Sequence, residues 1–374
     1  MNEMKKYLPY IRKALQDAPN KVDPPTDGAL RHKGLDTSKI HAMGLNESFF
    51  PPSPKAIQAM RDNLNAVNLY PDAQCPHLTD IISERTGIDR NCIVWGNGSE
   101  ELLKGSIDLS LSPGEGLVLP VPTFWGYKAM VAAFEAKVSE IPNLLDGKID
   151  IDGIHAAIDD NTKIVFLITP NNPSGSMIEK DELERAINGV PDDVLLCVDE
   201  AYYDYGIYAG GPDVLSVLKR REGPWITVFT FSKAYAMAGM RIGYALCSSN
   251  EIAQALQKTT CVFNVPLLAQ YAARESLLDK EHLNFILQET KTGREQLYRG
   301  LCNLGLEPLK SVTNFVSTKV PANGRKVMRT MLENGVQINA WADHGYEDFI
   351  RITVSREESN SMCLKTLEKV LNSI

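Results

Sequence analysis

Between residues 90 and 250, short apolar runs alternate with amphipathic stretches, and this alternation restricts the fold more than any other feature of the chain. The runs are CIVWG (92–96), GLVLP (116–120), KVSEI (137–141), KIVFLI (163–168), VLLCVD (194–199), ITVFTF (226–231) and GYALC (243–247). Most are apolar at consecutive rather than alternate positions, so both faces of the strand must be covered. Stretches of helical character, among them 99–110, 124–134 and 179–188, lie between most of them. Strands covered on both faces and separated by helices predict an α/β fold: a three-layer α/β/α domain with a mostly parallel sheet.

The flanking regions read differently. Residues 1–50 are irregular and rich in proline, with PNKVDPPTDG as the clearest loop. Ser53-Pro54 then has the form of a helix start, serine as N-cap and proline in the first turn. The segment 250–305 reads as helices without a strong break. NFVSTKV, GVQINA and FIRITV are strand-like, with helices expected at 325–334 and 356–372. A chain of 374 residues is long for one domain. We expect an N-terminal arm (1–50) packing with a small C-terminal α+β domain (286–374), and a large domain over 51–285.

Composition excludes several classes. The net charge is −8, which offers no broad positive surface for nucleic acid. No apolar run reaches the roughly 18 residues of a membrane span. The start, MNEMKKYLPYIRK, has no apolar core of a signal peptide. Seven cysteines without a CxxC pair, several in apolar runs, read as reduced and buried, which implies a cytoplasmic protein. Six scattered histidines with no HExxH give no metal site. GxSxG and GxxxxGK[ST] are absent, and the glycine spacing of WGNGSEE is wrong for a dinucleotide fingerprint.

Ligands of open α/β sheets bind beyond the carboxyl ends of the strands. Asn97-Gly98-Ser99-Glu100 follows the first run, and Phe124 and Tyr127 follow the second. Asn172 comes after KIVFLI, Asp199-Glu200-Ala201-Tyr202 closes VLLCVD, and Ser232-Lys233 follows ITVFTF, with Arg241 eight residues on. Each is ordinary alone, since a Gly-Ser opening is usually a cap and a strand-end lysine is usually solvated. Together they place an amide, an aromatic ring, an acid, a phenol, a lysine and an arginine along one sheet edge.

TFSKAYAMAGMRIGY, PNNPSG and DEAYYDY resemble fold-type-I enzymes dependent on pyridoxal 5′-phosphate (PLP), of the aspartate aminotransferase superfamily. LNESFFPPSP, NLYPD (68–72), WGNGSEEL (95–102) and FIRITVS (349–355) bring the chain nearer to the histidinol-phosphate aminotransferase branch. The resemblance runs in order from about residue 45 to the C-terminus. It implies a PLP-dependent aminotransferase acting on a small-molecule amino donor and a 2-oxo acid. It also implies a homodimer with shared active sites.

On that resemblance Lys233 carries the cofactor and moves the proton, Asp199 pairs with the ring nitrogen, and Asn172 and Tyr202 reach the ring's 3-oxygen. Phe124 stacks on the ring. Gly98, Ser99, Glu100, Thr230, Ser232 and Arg241 cradle the phosphate, which suits a helix N-terminus and a guanidinium fork. Tyr70 reaches the phosphate from the partner subunit. On the substrate side, Arg351 holds a carboxylate and Asn46 lines the entrance.

Two departures stand out. Phe49 and Phe50 occupy a segment that is small or polar in the family, and Ile338-Asn339 stands where Val-Arg is usual. With Trp341 these aromatic residues fit an aromatic amino donor, or equally a packing role for the arm. A phosphothreonine-type PLP decarboxylase is the main rival on the same scaffold, and an aromatic amino acid aminotransferase is another. A DNA-binding PLP regulator would need a helix-turn-helix module before residue 51. An α/β binding protein without PLP would leave the convergence of Lys233, Asp199, Asn172 and Arg241 unexplained.

Overall fold

A computed structural model describes residues 8–18, 24–132, 134–341 and 343–373. The first seven residues of the charged start and residues 19–23 of the proline-rich loop lie outside the described residues. The strands are β1 (His41–Ala42), β2 (Ile93–Gly96), β3 (Gly116–Val121), β4 (Lys137–Pro142), β5 (Thr162–Ile168) and β6 (Leu195–Asp199). They continue with β7 (Trp225–Thr230), β8 (Gly243–Cys247), β9 (Phe315–Lys319), β10 (Val336–Gln337), β11 (Asn339–Ala340) and β12 (Phe349–Thr353). One sheet has the order β2-β8-β7-β6-β5-β3-β4. Only β8 in it runs antiparallel to its neighbours.

All seven expected runs are strands of this sheet; the side chains of its inner strands fill a core on each face, while the edge strand β4 is largely exposed. Val165 and Leu167 of β5 enter one buried cluster, and Ile164, Phe166 and Ile168 enter the other. In β6, Leu196 and Val198 face the first cluster, and Leu195 and Cys197 the second. Each such side chain, fully buried, contributes about 1.5–3 kcal/mol. Helix Ser99–Ser110 matches its expected span, and Lys180–Asn188 starts one residue late. The expected 124–134 helix is cut to Gly126–Val131. Helix Pro54–Asp62 starts on Ser53, whose side chain accepts from Lys55 N–H.

The C-terminal part has its own core, with Leu297, Leu301, Val316, Ile350, Ile352 and Leu367 fully buried. Its antiparallel sheet has the order β11-β12-β9. GVQINA is not one strand: Val336–Gln337 pairs with the arm strand β1, and Asn339–Ala340 pairs with β12. The chain changes partner at Ile338, which is anchored in the small core between the two pairings. Met43 of the arm lies in the same core, and Gln337 Nε2 donates to the Pro25 carbonyl at 2.6 Å.

Two expectations need correction. The helical region 250–305 is interrupted over 258–266, between helices Asn250–Gln257 and Leu267–Leu278. The border expected at 285/286 falls inside helix Lys280–Asn303. This helix packs Leu287 beside Tyr202 at one end and Leu301 in the small core at the other. One rigid rod thus spans what the sequence divides, because its apolar stripe serves two cores in succession.

Candidate active site

A cavity of about 200 Å³ opens beyond the carboxyl ends of the parallel strands. Ser99, Glu100, Phe124, Asn172, Asp199, Tyr202, Thr230, Ser232, Lys233 and Arg241 all line it. The strand ends bring them together: β5 ends before Asn172, β6 ends on Asp199 and β7 on Thr230.

One end of the cavity suits an anion. Helix Ser99–Ser110 points its N-terminus there, with Gly98 as N-cap at φ 79°. A Cβ at Gly98 would stand 2.7 Å from Arg241 Nη2, so only glycine lets the guanidinium reach the helix end. Arg241 itself takes a left-handed backbone, φ 51°. Beside it the Thr230 hydroxyl donates to Ser232 Oγ at 3.0 Å, and Ser232 N–H donates to Thr230 Oγ1 at 3.1 Å.

The other end is acidic. Asp199 is buried, and its Oδ1 accepts from Ala201 N–H at 3.0 Å. Its Oδ2 accepts from the Tyr127 hydroxyl at 2.9 Å. Burial raises the pKa of Asp199, and the Tyr127 and Ala201 hydrogen bonds and the Lys233 charge oppose that rise.

Lys233 lies between these ends. Its Nζ donates to the Asn46 carbonyl at 3.3 Å and stands 5.8 Å from the centre of the Tyr202 ring. Burial, followed by the Arg351 charge, brings its pKa down to about 8. An amine so placed exchanges protons near neutral pH and is nucleophilic in its neutral form.

Arg351 on β12 meets the cavity wall from the small sheet. Its Nη1 donates to Asn172 Oδ1 at 2.5 Å and its Nη2 to the Gly44 carbonyl at 2.7 Å. Asn172 therefore joins the cavity wall to Arg351. Asn46 corrects an expectation. It is 1% exposed, too deep for an entrance, and holds the left-handed region at φ 55°. Its Nδ2 donates to the Tyr202 hydroxyl at 2.9 Å, and Thr353 Oγ1 donates to its Oδ1 at 3.1 Å. Its carbonyl accepts from Asn314 Nδ2 at 3.0 Å as well as from Lys233. Asn46 is thus a strut joining the arm, the small sheet and Lys233.

The profile of the family "Aminotransferase class I and II" matches residues 38–367. The chain belongs to the class I and II aminotransferases. It is 33% identical to histidinol-phosphate aminotransferase 2 of Carboxydothermus hydrogenoformans, over 96% of this chain and 99% of the relative. It is 34% identical to the histidinol-phosphate aminotransferase of Akkermansia muciniphila, over 93% and 94% of the two chains. Among solved structures, the histidinol-phosphate aminotransferase of Sinorhizobium meliloti in complex with pyridoxal-5′-phosphate superposes with a TM-score of 0.89. That match has 26% identity and covers 98% of this chain and 99% of the other.

In this aminotransferase Tyr70 stands apart from the cavity. It is 82% exposed and stacks on Phe263 with ring centres 4.7 Å apart. Trp341 is buried, stacked on Phe349 at 4.4 Å, and Phe50 packs on Phe285 at 4.7 Å. Neither is among the residues lining the cavity with Lys233. Sequence reasoning left Tyr127, Gly44, Thr353 and Asn314 without roles. Tyr127 had a signal, standing one helical turn after Phe124, and Thr353 had one in the period-2 spacing from Arg351. Gly44 and Asn314 act through a backbone carbonyl and a bond across 268 residues, which no local pattern marks.

Proposed function

We propose that the chain is a PLP-dependent aminotransferase of the histidinol-phosphate aminotransferase type. It moves an amino group between an amino acid or amino-alcohol phosphate and a 2-oxo acid. The observation that carries this is the placing of Lys233 between an anion cradle and a buried acid. The donor set fits PLP group by group. The helix N-terminus, Arg241, Ser232 and Thr230 suit a phosphate, Asp199 suits a protonated ring nitrogen, Phe124 suits a ring face, and the Lys233 amine suits an aldehyde. The relatives' names and the PLP complex of the Sinorhizobium enzyme support the same reading.

Bound PLP supplies an electron sink for the charge left on the substrate's α-carbon. Lys233 Nζ holds and returns the proton, and its pKa of about 8 keeps both forms accessible. Arg351 offers a guanidinium to a carboxylate or phosphate. Leu64, Val67, Leu69, Tyr70 and Val262 are all exposed, and Tyr70 stacks on Phe263, the neighbour of Val262. Such exposed apolar side chains fit a second copy of the chain, so we infer a homodimer with Tyr70 reaching the neighbouring cavity. Acting on small molecules, it needs neither nucleic acid nor membrane, and we assign it to the cytoplasm.

The test is to mix the PLP-loaded protein with histidinol phosphate, aromatic amino acids, glutamate or phosphothreonine, one at a time, and follow the cofactor's absorbance. Loss of the lysine-bound band with one donor, restored by a 2-oxo acid, is expected. Release of carbon dioxide without that exchange would make the protein a decarboxylase instead.

A further inference from the structure

Asp199 has no cation bonded to either oxygen among the described residues; a backbone N–H and a phenol hold it. The phenol belongs to Tyr127, which is fully buried. Its ring meets Phe166 edge-on at 5.0 Å and Phe124 at 6.4 Å, and its hydroxyl is directed at Asp199 Oδ2 by the 2.9 Å hydrogen bond. We propose that Tyr127 is a positioning residue for the cofactor: its hydroxyl holds the Asp199 carboxylate charged and in one orientation, so that Asp199 keeps the proton on the ring nitrogen. The inference rests on the PLP reading above.

The chemistry is a contest for one proton between the ring nitrogen and Asp199. A hydrogen bond donated to the carboxylate favours its charged form and leaves the proton on nitrogen. Burial and the Asp199 charge push the Tyr127 phenol far above its ordinary range, so it stays an O–H donor. Lys233, Glu200, Tyr202 and Cys197 are the other titratable groups around Asp199. The two tyrosines differ in target: Tyr202 accepts from Asn46, and only Tyr127 donates to the acid. Remove the Tyr127 hydroxyl and Oδ2 loses a donor while the acid stays buried. Asp199 then takes the proton more readily, and its hold on the ring weakens.

The experiment uses holoenzyme loaded with PLP isotope-labelled at the ring nitrogen, observed by NMR between about pH 6 and pH 9. In the wild type the nitrogen stays protonated throughout. In Y127F it loses the proton within that range, and the PLP dissociation constant rises about tenfold, the size expected for one hydrogen bond to a charged group. F166L loosens the packing around Tyr127 but leaves its hydroxyl, so it lowers the Tm and keeps the wild-type nitrogen signal. An unchanged nitrogen in Y127F, or the same loss in F166L, overturns the inference and leaves the aminotransferase reading intact. Failure of the wild type to bind the label overturns that reading as well. If Y127F is too unstable to load, 3-fluorotyrosine at position 127 keeps the ring and strengthens the donor. With the titration carried above about pH 9 until the wild-type nitrogen releases its proton, this variant should release it at higher pH, and no movement there also overturns the inference.

Discussion

The large sheet and the arm with its small sheet are tied at the cavity wall by the Asn172–Arg351 and Lys233–Asn46 bonds, but they hold their groups in different ways. On the large-sheet side, Asp199 and Thr230 stand on the last residues of their strands, Asn172 and Lys233 follow within four residues, and Ser99 opens a helix. The backbone ladder itself sets their positions. On the other side, Arg351, Asn46, Thr353 and Asn314 are held by side-chain bonds across hundreds of residues, such as Asn46 to Thr353 at a separation of 307. A site half built on strand ends and half on long-range polar struts should lose chemistry when the first half is cut, and stability or substrate binding when the second is.

Four substitutions test that contrast, and a fifth marks its lower limit. Lys233→Ala should cost the most. Loss of the proton-carrying amine lowers the amino-transfer rate at least roughly a hundredfold. After borohydride reduction, PLP should stay attached to the denatured wild type through gel filtration and wash out of the variant. Arg351→Ala should lower kcat/KM about a hundredfold, the worth of a charged two-point contact of about 1.5–3 kcal/mol. It should leave the lysine-bound absorbance in place, and loss of that absorbance would erase the distinction between the two sides.

Asn46→Ala removes the bonds to Tyr202 and Thr353 and places alanine at φ 55°. It should cost about 1–3 kcal/mol of stability, read as a lower Tm in thermal unfolding. A smaller drop than that would mean the struts are decorative.

Glu200→Gln acts through pH. Burial pushes the Glu200 carboxyl up to about 8 from an ordinary value of 4.5. The folded state therefore binds a proton that the unfolded chain has released, and wild-type stability falls as pH rises from about 4.5 to about 8. The variant keeps an oxygen for Thr227 and lacks that loss, so its Tm advantage should grow across this window and level off above it. A constant difference from acid to alkali would remove Glu200 as the cause. Lys128→Ala breaks the partly exposed pairs with Glu140 (3.2 Å) and Asp343 (3.0 Å) between the large sheet and the small-sheet loop. It should cost under about 1 kcal/mol, less still at high salt, in a salt-dependent Tm series.

The two sides also differed in legibility. KIVFLI and VLLCVD are apolar at consecutive positions, so they announce strands buried on both faces, and the residues that follow them announce the cavity. GVQINA misled because its first and second halves pair with different strands, and apolar spacing carries no record of the partner. The 285/286 border failed because one amphipathic helix serves two cores.

By itself, the sequence determined the sheet strands, the helix N-terminus at Ser99 and the residues lining the anion cradle. These depend on hydrophobic periodicity and on what immediately follows each strand. Only the tertiary structure decided that Tyr127 donates to Asp199, that Asn46 sits too deep to be an entrance, and that Asn172 is tied to Arg351. Hydrogen bonds between distant residues depend on how elements dock, and docking is set by the packing of whole cores rather than by any local pattern of residues.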